Sequence, residues 1–227
     1  MTTFAELKTA VALAIGDPSA RTFSASVVGD LINTALAEIG RIAPERFYEE
    51  IDPIADYMRY PLRATEFPVG PVPEMEVVRV ELWDTSITPA RLYAHLQPLD
   101  GAFGVTSDSG WKVWDGVLEV PRAVPVFLAG NEADYTFRVW GYSPYPPLVV
   151  SDDVVLLSNE REQALILLCQ LESIRRLSQS RDLYTQWQTH SGNTDVSPAG
   201  LMNALSMAQA EWRQRSRAIA VLREAPS

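Results

Sequence analysis

A single cysteine, Cys169, stands in a chain of 227 residues, so no disulfide can form within it. Lysine is nearly missing too: Lys8 and Lys112 are the only two, and the remaining basic residues are arginines. Histidine occurs twice, at His95 and His190. Neither has a cysteine, aspartate or second histidine at ligand spacing, which leaves no sequence pattern for a metal centre. Long apolar runs are absent. None is longer than about six residues, as in "ALILLC" (164–169), far short of the ~18 residues that span a membrane. The opening "MTTFAELKTAVALAIGD" interrupts its apolar stretch with Glu6 and Lys8 and has helical spacing, so it does not read as a secretion signal. These absences lead to the expectation of a soluble chain made in a reducing cytoplasm.

Positive charge is scarce as well. The formal net charge is −10, and phosphate contacts need clustered Lys and Arg, which argues against a free-standing nucleic-acid binder. The imbalance is local. Residues 1–160 carry eleven basic and twenty-three acidic side chains, whereas residues 161–227 carry eight and six. Reaction motifs are equally thin. The sequence contains no GxxxxGK[ST], HExxH, CxxC or GxSxG, and "GAFG" (101–104) does not fit a phosphate loop. Neither a catalytic set nor a cofactor or metal site can be assigned, and the chain reads as no enzyme.

What is present is a core's worth of apolar residues, 47% of the chain against 21% charged. Phe4, Leu7, Val11 and Ile15 recur at helical spacing and predict a helix over 3–15, ended by Gly16 and Pro18. Ser24 is a good cap for a second helix, with Phe23 and Val28 at staple positions. Its apolar face is Val28, Leu31, Ile32, Ala35, Ile39 and Ile42, and Pro44 closes it. From about residue 50 the texture becomes strand-like: "YMRYPLR", "EVVRVELWDT", "RLYAHLQPL", "WKVWDGVLEVP" and "YTFRVWGY" predict five or so antiparallel strands. Asp115-Gly116 is a hairpin signal, and "EFPVGPVPEM" (66–75) an extended proline-rich loop.

Helical spacing returns after Pro147. Asn159 and Glu162 resemble a capping box, followed by Ala164, Leu167, Leu168, Leu171 and Ile174 as a buried face. Residues 182–190 either extend this helix or form a separate turn. Residues 191–200 read as a loop, and Ser197-Pro198 opens a last helix with Leu201, Leu205, Ala208, Trp212, Ile219 and Leu222 inward. The expected class is therefore α+β. Residues 1–49 form a helix pair, 50–147 an inserted small antiparallel β domain, and 148–227 two long helices that complete a four-helix core.

Candidate site residues are few. His95 reads as a surface or interface side chain and Cys169 as a small buried hydrophobe. Asp152 and Asp153 read as a solvated turn ahead of a helix, with cation binding the alternative. Trp111, Trp114, Trp140, Tyr142 and Tyr145 exceed what a small sheet can bury, so each is open between core and subunit interface. Arg213, Arg215, Arg217 and Arg223 form either a solvated helix face or a basic docking surface for an acidic partner.

The order of elements resembles a known family. The opening "FAELKTAVALAIGDP…SASVVGDLINTALAEIGRIAP", with its N-x-A-L-x-E-I helix at Asn33–Ile39, is similar to the start of head-to-tail adaptor (connector) proteins of tailed bacteriophages. The strand ending in "WGYSPYPPL", the return through "DDVVLLSNEREQALILLCQLESIRRL" and the closing helix Leu201–Arg223 resemble the same family, over most of the chain. The resemblance implies a structural virion protein at the neck of the particle. It implies a homo-oligomeric ring, usually of twelve subunits, beneath the portal protein, seating the next neck or tail protein. DNA would pass through the channel without sequence-specific binding, and no membrane or cofactor would be involved. It further implies that the terminal helix reaches the portal, which makes Arg213, Arg215, Arg217 and Arg223 candidate portal-binding residues. The competing readings are a tail-associated cell-wall glycosidase using two carboxylates and a generic cytoplasmic interaction domain.

Overall fold

The computed structural model describes residues 2–63, 75–99, 110–191 and 196–220. The chain is α+β and divides into two compact units. One joins the described parts of Met1–Ala43 and Pro147–Val221; the other is built within Pro44–Pro146.

In the helical unit, a short strand β1 (Thr2–Thr3) leads into helix α1 (Phe4–Ala14). Thr3 caps α1 reciprocally with Glu6: its hydroxyl accepts from the Glu6 N–H, and the Glu6 carboxylate accepts from the Thr3 N–H. Two more N–H groups of the first turn, Phe4 and Ala5, donate to the carbonyls of Asp153 and Ser151. Helix α2 (Ala25–Ile42) starts at the expected cap, Ser24, and both staple residues, Phe23 and Val28, are buried. Its buried face includes Leu36 in place of Ile42, which is only half-buried.

Residues of the sheet unit follow directly. Strands β2 (Glu45–Ile51), β3 (Arg59–Pro61), β4 (Glu76–Asp84), β5 (Arg91–Leu96), β6 (Lys112–Trp114) and β7 (Val117–Glu119) precede helix α3 (Ala123–Leu128) and strand β8 (Tyr135–Ser143). The sheet therefore begins at Glu45, not near residue 50, because the chain enters β2 immediately after Pro44. The strand "ERFYEEI" hides behind three glutamates in the sequence, yet it pairs along its whole length with β8. The strands form two antiparallel sheets rather than one: a four-stranded sheet ordered β2-β8-β4-β5 and a three-stranded sheet ordered β3-β7-β6. Asp115 and Gly116 both take positive φ, 55° and 71°, so the β6–β7 hairpin closes through the mirror-image turn that its Asp-Gly pair favours. Most of the proline-rich stretch (66–75) lies outside the described residues, as does "GAFG" (101–104).

Period two sorts the sides of the four-stranded sheet. Phe137 and Val139 of β8, Val80 and Leu82 of β4 and Phe47 of β2 point into a core completed by Tyr60, Leu62, Trp111, Leu118 and Leu128. The intervening positions face the other way and carry the polar chemistry described below.

Back in the helical unit, strand β9 (Val154–Val155) pairs with β1, and helices α4 (Asn159–Gln179), α5 (Arg181–Ser191) and α6 (Pro198–Ile219) follow. The cap of α4 is Ser158, whose hydroxyl accepts from the Arg161 N–H, so the expected Asn159–Glu162 box is not used. Glu162 instead accepts from the Thr2 hydroxyl at 2.8 Å, tying α4 to the start of the chain. Helix α4 packs against α1, α2, α5 and α6. Ala164, Leu167 and Leu171 of the expected stripe are buried and Leu168 and Ile174 half-buried, while Leu165, Cys169 and Ser173 widen the buried face. Residues 181–191 are a separate helix, broken from α4 at Ser180, which takes extended backbone. Ser197 and Pro198 open α6 as expected, with the Ser197 hydroxyl accepting from the Gly200 N–H. Only Leu201 and Ile219 of α6 are fully buried; Leu205, Ala208 and Trp212 are half-covered, and Leu222 lies outside the described residues.

Candidate functional site

The outward rows of the four-stranded sheet bring together residues that lie far apart in sequence. Strand register sets Arg46, Tyr142 and Glu76 in one row, Tyr48, Trp140 and Arg79 in the next, and Glu50, Arg138, Glu81 and His95 in a third. Directly paired residues on antiparallel strands share a face. The rows interlock. The Arg79 guanidinium lies 4.2 Å over the Trp140 ring, and that of Arg138 lies 3.9 Å over Trp83. Tyr48 packs on Trp140 with ring centroids 5.2 Å apart, and its hydroxyl donates a hydrogen bond to the Glu50 carboxylate. Glu50 also holds Arg138 at 2.9 Å.

Glu81 is the buried centre of this face. One of its oxygens meets Arg79 at 3.4 Å and His95 Nδ1 at 3.1 Å, and the other accepts the Trp83 indole N–H at 2.7 Å. A carboxylate only 4% exposed needs such partners, because an isolated buried charge is costly. Beside this cluster a cavity of about 550 Å³ opens across the sheet, lined by residues of all four strands. Among them are Arg46, Arg79, His95, Trp140 and Tyr142, with Gln97 just beyond β5.

The aromatic candidates separate cleanly. Trp111, Tyr142 and Tyr145 are buried, and the Trp111 indole donates to the Leu96 carbonyl. Trp114, at the tip of the β6–β7 hairpin, is 80% exposed. Trp140 is half-buried under Arg79. The arginines of α6 separate too. Arg213 and Arg217, four residues apart, share one exposed face. Arg215 turns the other way, holding Glu211 at 2.8 Å and donating to the Gln163 side chain of α4 at 3.0 Å. Arg223 lies outside the described residues.

His190 sits at the end of α5, 3.4 Å from the Thr22 hydroxyl. Asp153 closes a turn by accepting from the Val149 and Val150 N–H groups, and Asp152 is exposed. Among the described residues no group of His, Cys, Asp and Glu is placed to hold a metal ion, and no helix is long and apolar enough to cross a membrane. Burial pushes the Cys169 thiol up to about 12. At neutral pH that lowers its thiolate fraction about a thousandfold against an ordinary cysteine. A thiol-specific reagent is therefore expected to leave the native protein unmodified and to label it fully in denaturant; rapid labelling of the folded protein would contradict the burial.

Arg46, Arg79, Glu81, Trp83 and Arg138 escaped sequence reasoning. Their signal was present as period two, with Arg46/Tyr48/Glu50, Arg79/Glu81/Trp83 and Arg138/Trp140/Tyr142 each placing arginine and aromatic residues at one parity. What the alternation lacks is the register that sets the triplets side by side. Against known proteins, a scan of protein-family models finds no match to the chain, and neither does a search of curated proteins.

Proposed function

We propose that the chain is a structural ring subunit at the neck of a tailed-phage particle, docked beneath the portal and joining head to tail. One observation carries the reading beyond the order of elements: the segment linking the sheet unit to α4 buries Leu148 and Val155 but leaves four other aliphatic side chains in solvent. Val149, Val150, Val154 and Leu156 are 48–76% exposed within eight residues. Single exposed apolar residues are ordinary, but four so close together that the chain's own packing leaves uncovered are the mark of a surface made for neighbours. The net charge of −10 suits a channel through which DNA must slide without sticking. The exposed pair Arg213 and Arg217 supplies a basic edge on α6 for a carboxylate-bearing portal surface.

Mass measurement of the purified protein with and without its cognate portal tests the reading. The expected result is a large ring-sized complex only in the mixture. Reversing charge at Arg213 and Arg217 together is expected to weaken that complex at least about tenfold, because weak contacts repeated round a ring multiply. Rising salt should weaken the wild-type complex in the same direction. A chain that never associates with the portal at any concentration rules the connector role out.

A further inference from the structure

At one rim of the sheet unit three aromatic rings touch, and two of them stand half in water. Tyr93 of β5 and Phe127 of α3 stack with centroids 5.0 Å apart. Tyr135 of β8 lies 5.5 Å from the first and 5.7 Å from the second, nearly perpendicular to both. A ring lying on top of a stacked pair would be far nearer to one partner than to the other. Tyr135 is almost equally distant from both, so it stands beside the pair and leaves their outer faces clear of the cluster. Tyr93 is 52% exposed and Phe127 47%. The backbone itself turns Tyr93 to this place. Strand β5 pairs Ala94 with Leu82 and Leu92 with Trp83, so Tyr93 is the extra residue of a β-bulge on an edge strand. A bulge takes its side chain off the alternation and re-aims it.

The charge beside these rings is negative. Asp84 is the partner of Tyr135 across the β4–β8 ladder, and Asp134 precedes Tyr135 in the chain. The Thr85 N–H donates to the Asp134 carbonyl at 2.7 Å, which holds the two segments together. The Asp84 carboxylate accepts from the Ser86 N–H at 3.0 Å and its hydroxyl at 2.6 Å, both neutral donors. Among the described residues neither Asp84 nor Asp134 is ion-paired, even though Arg91 faces Asp84 across the ladder. The Tyr135 phenol feels this field: desolvation first, then Asp84, Tyr93 and Asp134, hold it above its ordinary value.

We infer that this rim docks an arginine-bearing basic segment of another protein, a guanidinium lying flat on the outer face of Tyr93 or Phe127 with its charge turned toward Asp84 and Asp134. Arginine suits the site because its planar, weakly hydrated group stacks on a ring and still offers N–H edges to a carboxylate. The net charge of −10 draws a basic partner in at long range and repels an acidic one. A neutral sugar would use the same ring faces but gain nothing from two unbalanced charges, so it serves as the competing probe. Nothing in the contact depends on the portal, and its failure would leave the ring reading standing.

Fluorescence anisotropy at about 0.15 M salt, where long-range attraction is largely screened, tests the contact with a short labelled peptide of alternating arginine and serine. Lysine-for-arginine and glutamate-for-arginine peptides are the parallel probes, and a neutral hexasaccharide the competitor. The arginine peptide is expected to bind saturably, the lysine peptide severalfold more weakly and the glutamate peptide not at all. Tyr93→Leu with Phe127→Leu leaves the net charge and the apolar character in place, and should weaken the arginine peptide about tenfold with the melting curve little changed. Asp84→Asn with Asp134→Asn should weaken it severalfold and flatten its salt dependence. The inference is overturned if the arginine peptide does not bind, if the lysine peptide binds equally well, or if the ring variant binds as tightly as wild type, which would make the attraction one of net charge alone. It is equally overturned if the hexasaccharide displaces the peptide at equal molar concentration.

Discussion

Replacing Asp17 by alanine is expected to destabilise the helical unit by about 3 kcal/mol or more, the larger of the single-residue effects in that unit. The reason is a concentration of hydrogen bonds in one buried carboxylate. Asp17 is 3% exposed, and it accepts from three backbone N–H groups: Arg21 at 3.0 Å, Thr22 at 2.8 Å and Phe23 at 2.7 Å. These N–H groups line the turn between α1 and α2, where no helix supplies them with carbonyls. Hydrogen bonds to a charged acceptor contribute about 1.5–3 kcal/mol each, and a donor stranded inside the protein loses its desolvation cost as well. The contributions are not additive, because water can reach the less buried donors once the carboxylate is gone. The neighbouring structure raises the stakes. Gly16 takes a φ of 72°, the Trp187 indole donates to the Ile15 carbonyl at 3.0 Å, and Phe23 is buried as the staple of α2. Losing the turn therefore frees the end of one helix and the start of the next. Asp17→Asn keeps one carbonyl oxygen but sets an amide N–H₂ against the remaining donors, so it should fall between wild type and alanine. Urea denaturation followed by helical circular dichroism measures the difference. A loss below 1 kcal/mol for the alanine variant would mean that solvent already serves these N–H groups.

Gly141→Ala is expected to cost the sheet unit a similar amount, about 3 kcal/mol, although it adds a single methyl group. Gly141 lies near the end of β8, where a β-carbon would sit 2.3 Å from the Glu76 carbonyl oxygen and 2.7–2.9 Å from the Phe47 ring. A ring can turn aside, but the carbonyl belongs to the backbone of β4, which the ladder with β8 holds in place. The methyl must push β4 and β8 apart where the register already shifts between Val77 and Arg79. Overpacking of this kind costs about 1–3 kcal/mol even against side chains, and backbone gives less readily. A double variant separates the two clashes. If the Phe47 ring were the main obstacle, Gly141→Ala with Phe47→Ala would be no worse than Phe47→Ala alone. The backbone contact predicts instead that the methyl remains destabilising in that background. Thermal melts of the four proteins, read by near-ultraviolet circular dichroism, decide between the two.

How much of this could be read in advance depended on the range of the interaction involved. The cap at Ser24, the proline start of α6 at Ser197-Pro198 and the Asp115-Gly116 hairpin were all legible, because each is decided by groups within four residues of one another. The cap of α4 shows the limit of even local signals. Ser158 and Asn159 are both good capping residues, and the fold selects the first because Glu162 is drawn away to Thr2 at the start of the chain.

The α6 arginines were legible in principle, since residues two apart on a helix point to nearly opposite sides. That Arg215 is the one turned toward α4 required knowing where α4 lies. The aromatic residues could be counted but not sorted. Trp111 and Trp114 are three residues apart, and only the pairing of β6 with β7 and the bridge from Trp111 to Pro98 bury the first and leave the second in solvent. The outward rows of the four-stranded sheet were the least accessible of all. Period two assigns Arg46, Arg79, Arg138 and Trp140 to one parity within their own strands, and that much is local. Their meeting across β2, β8 and β4 is a matter of register between segments far apart in the sequence. A one-residue slip would have sent each of them into the core. Local hydrogen-bonding preferences are written along the chain; the burial of Phe137 and Val139 that holds the register is a property of the assembled sheet.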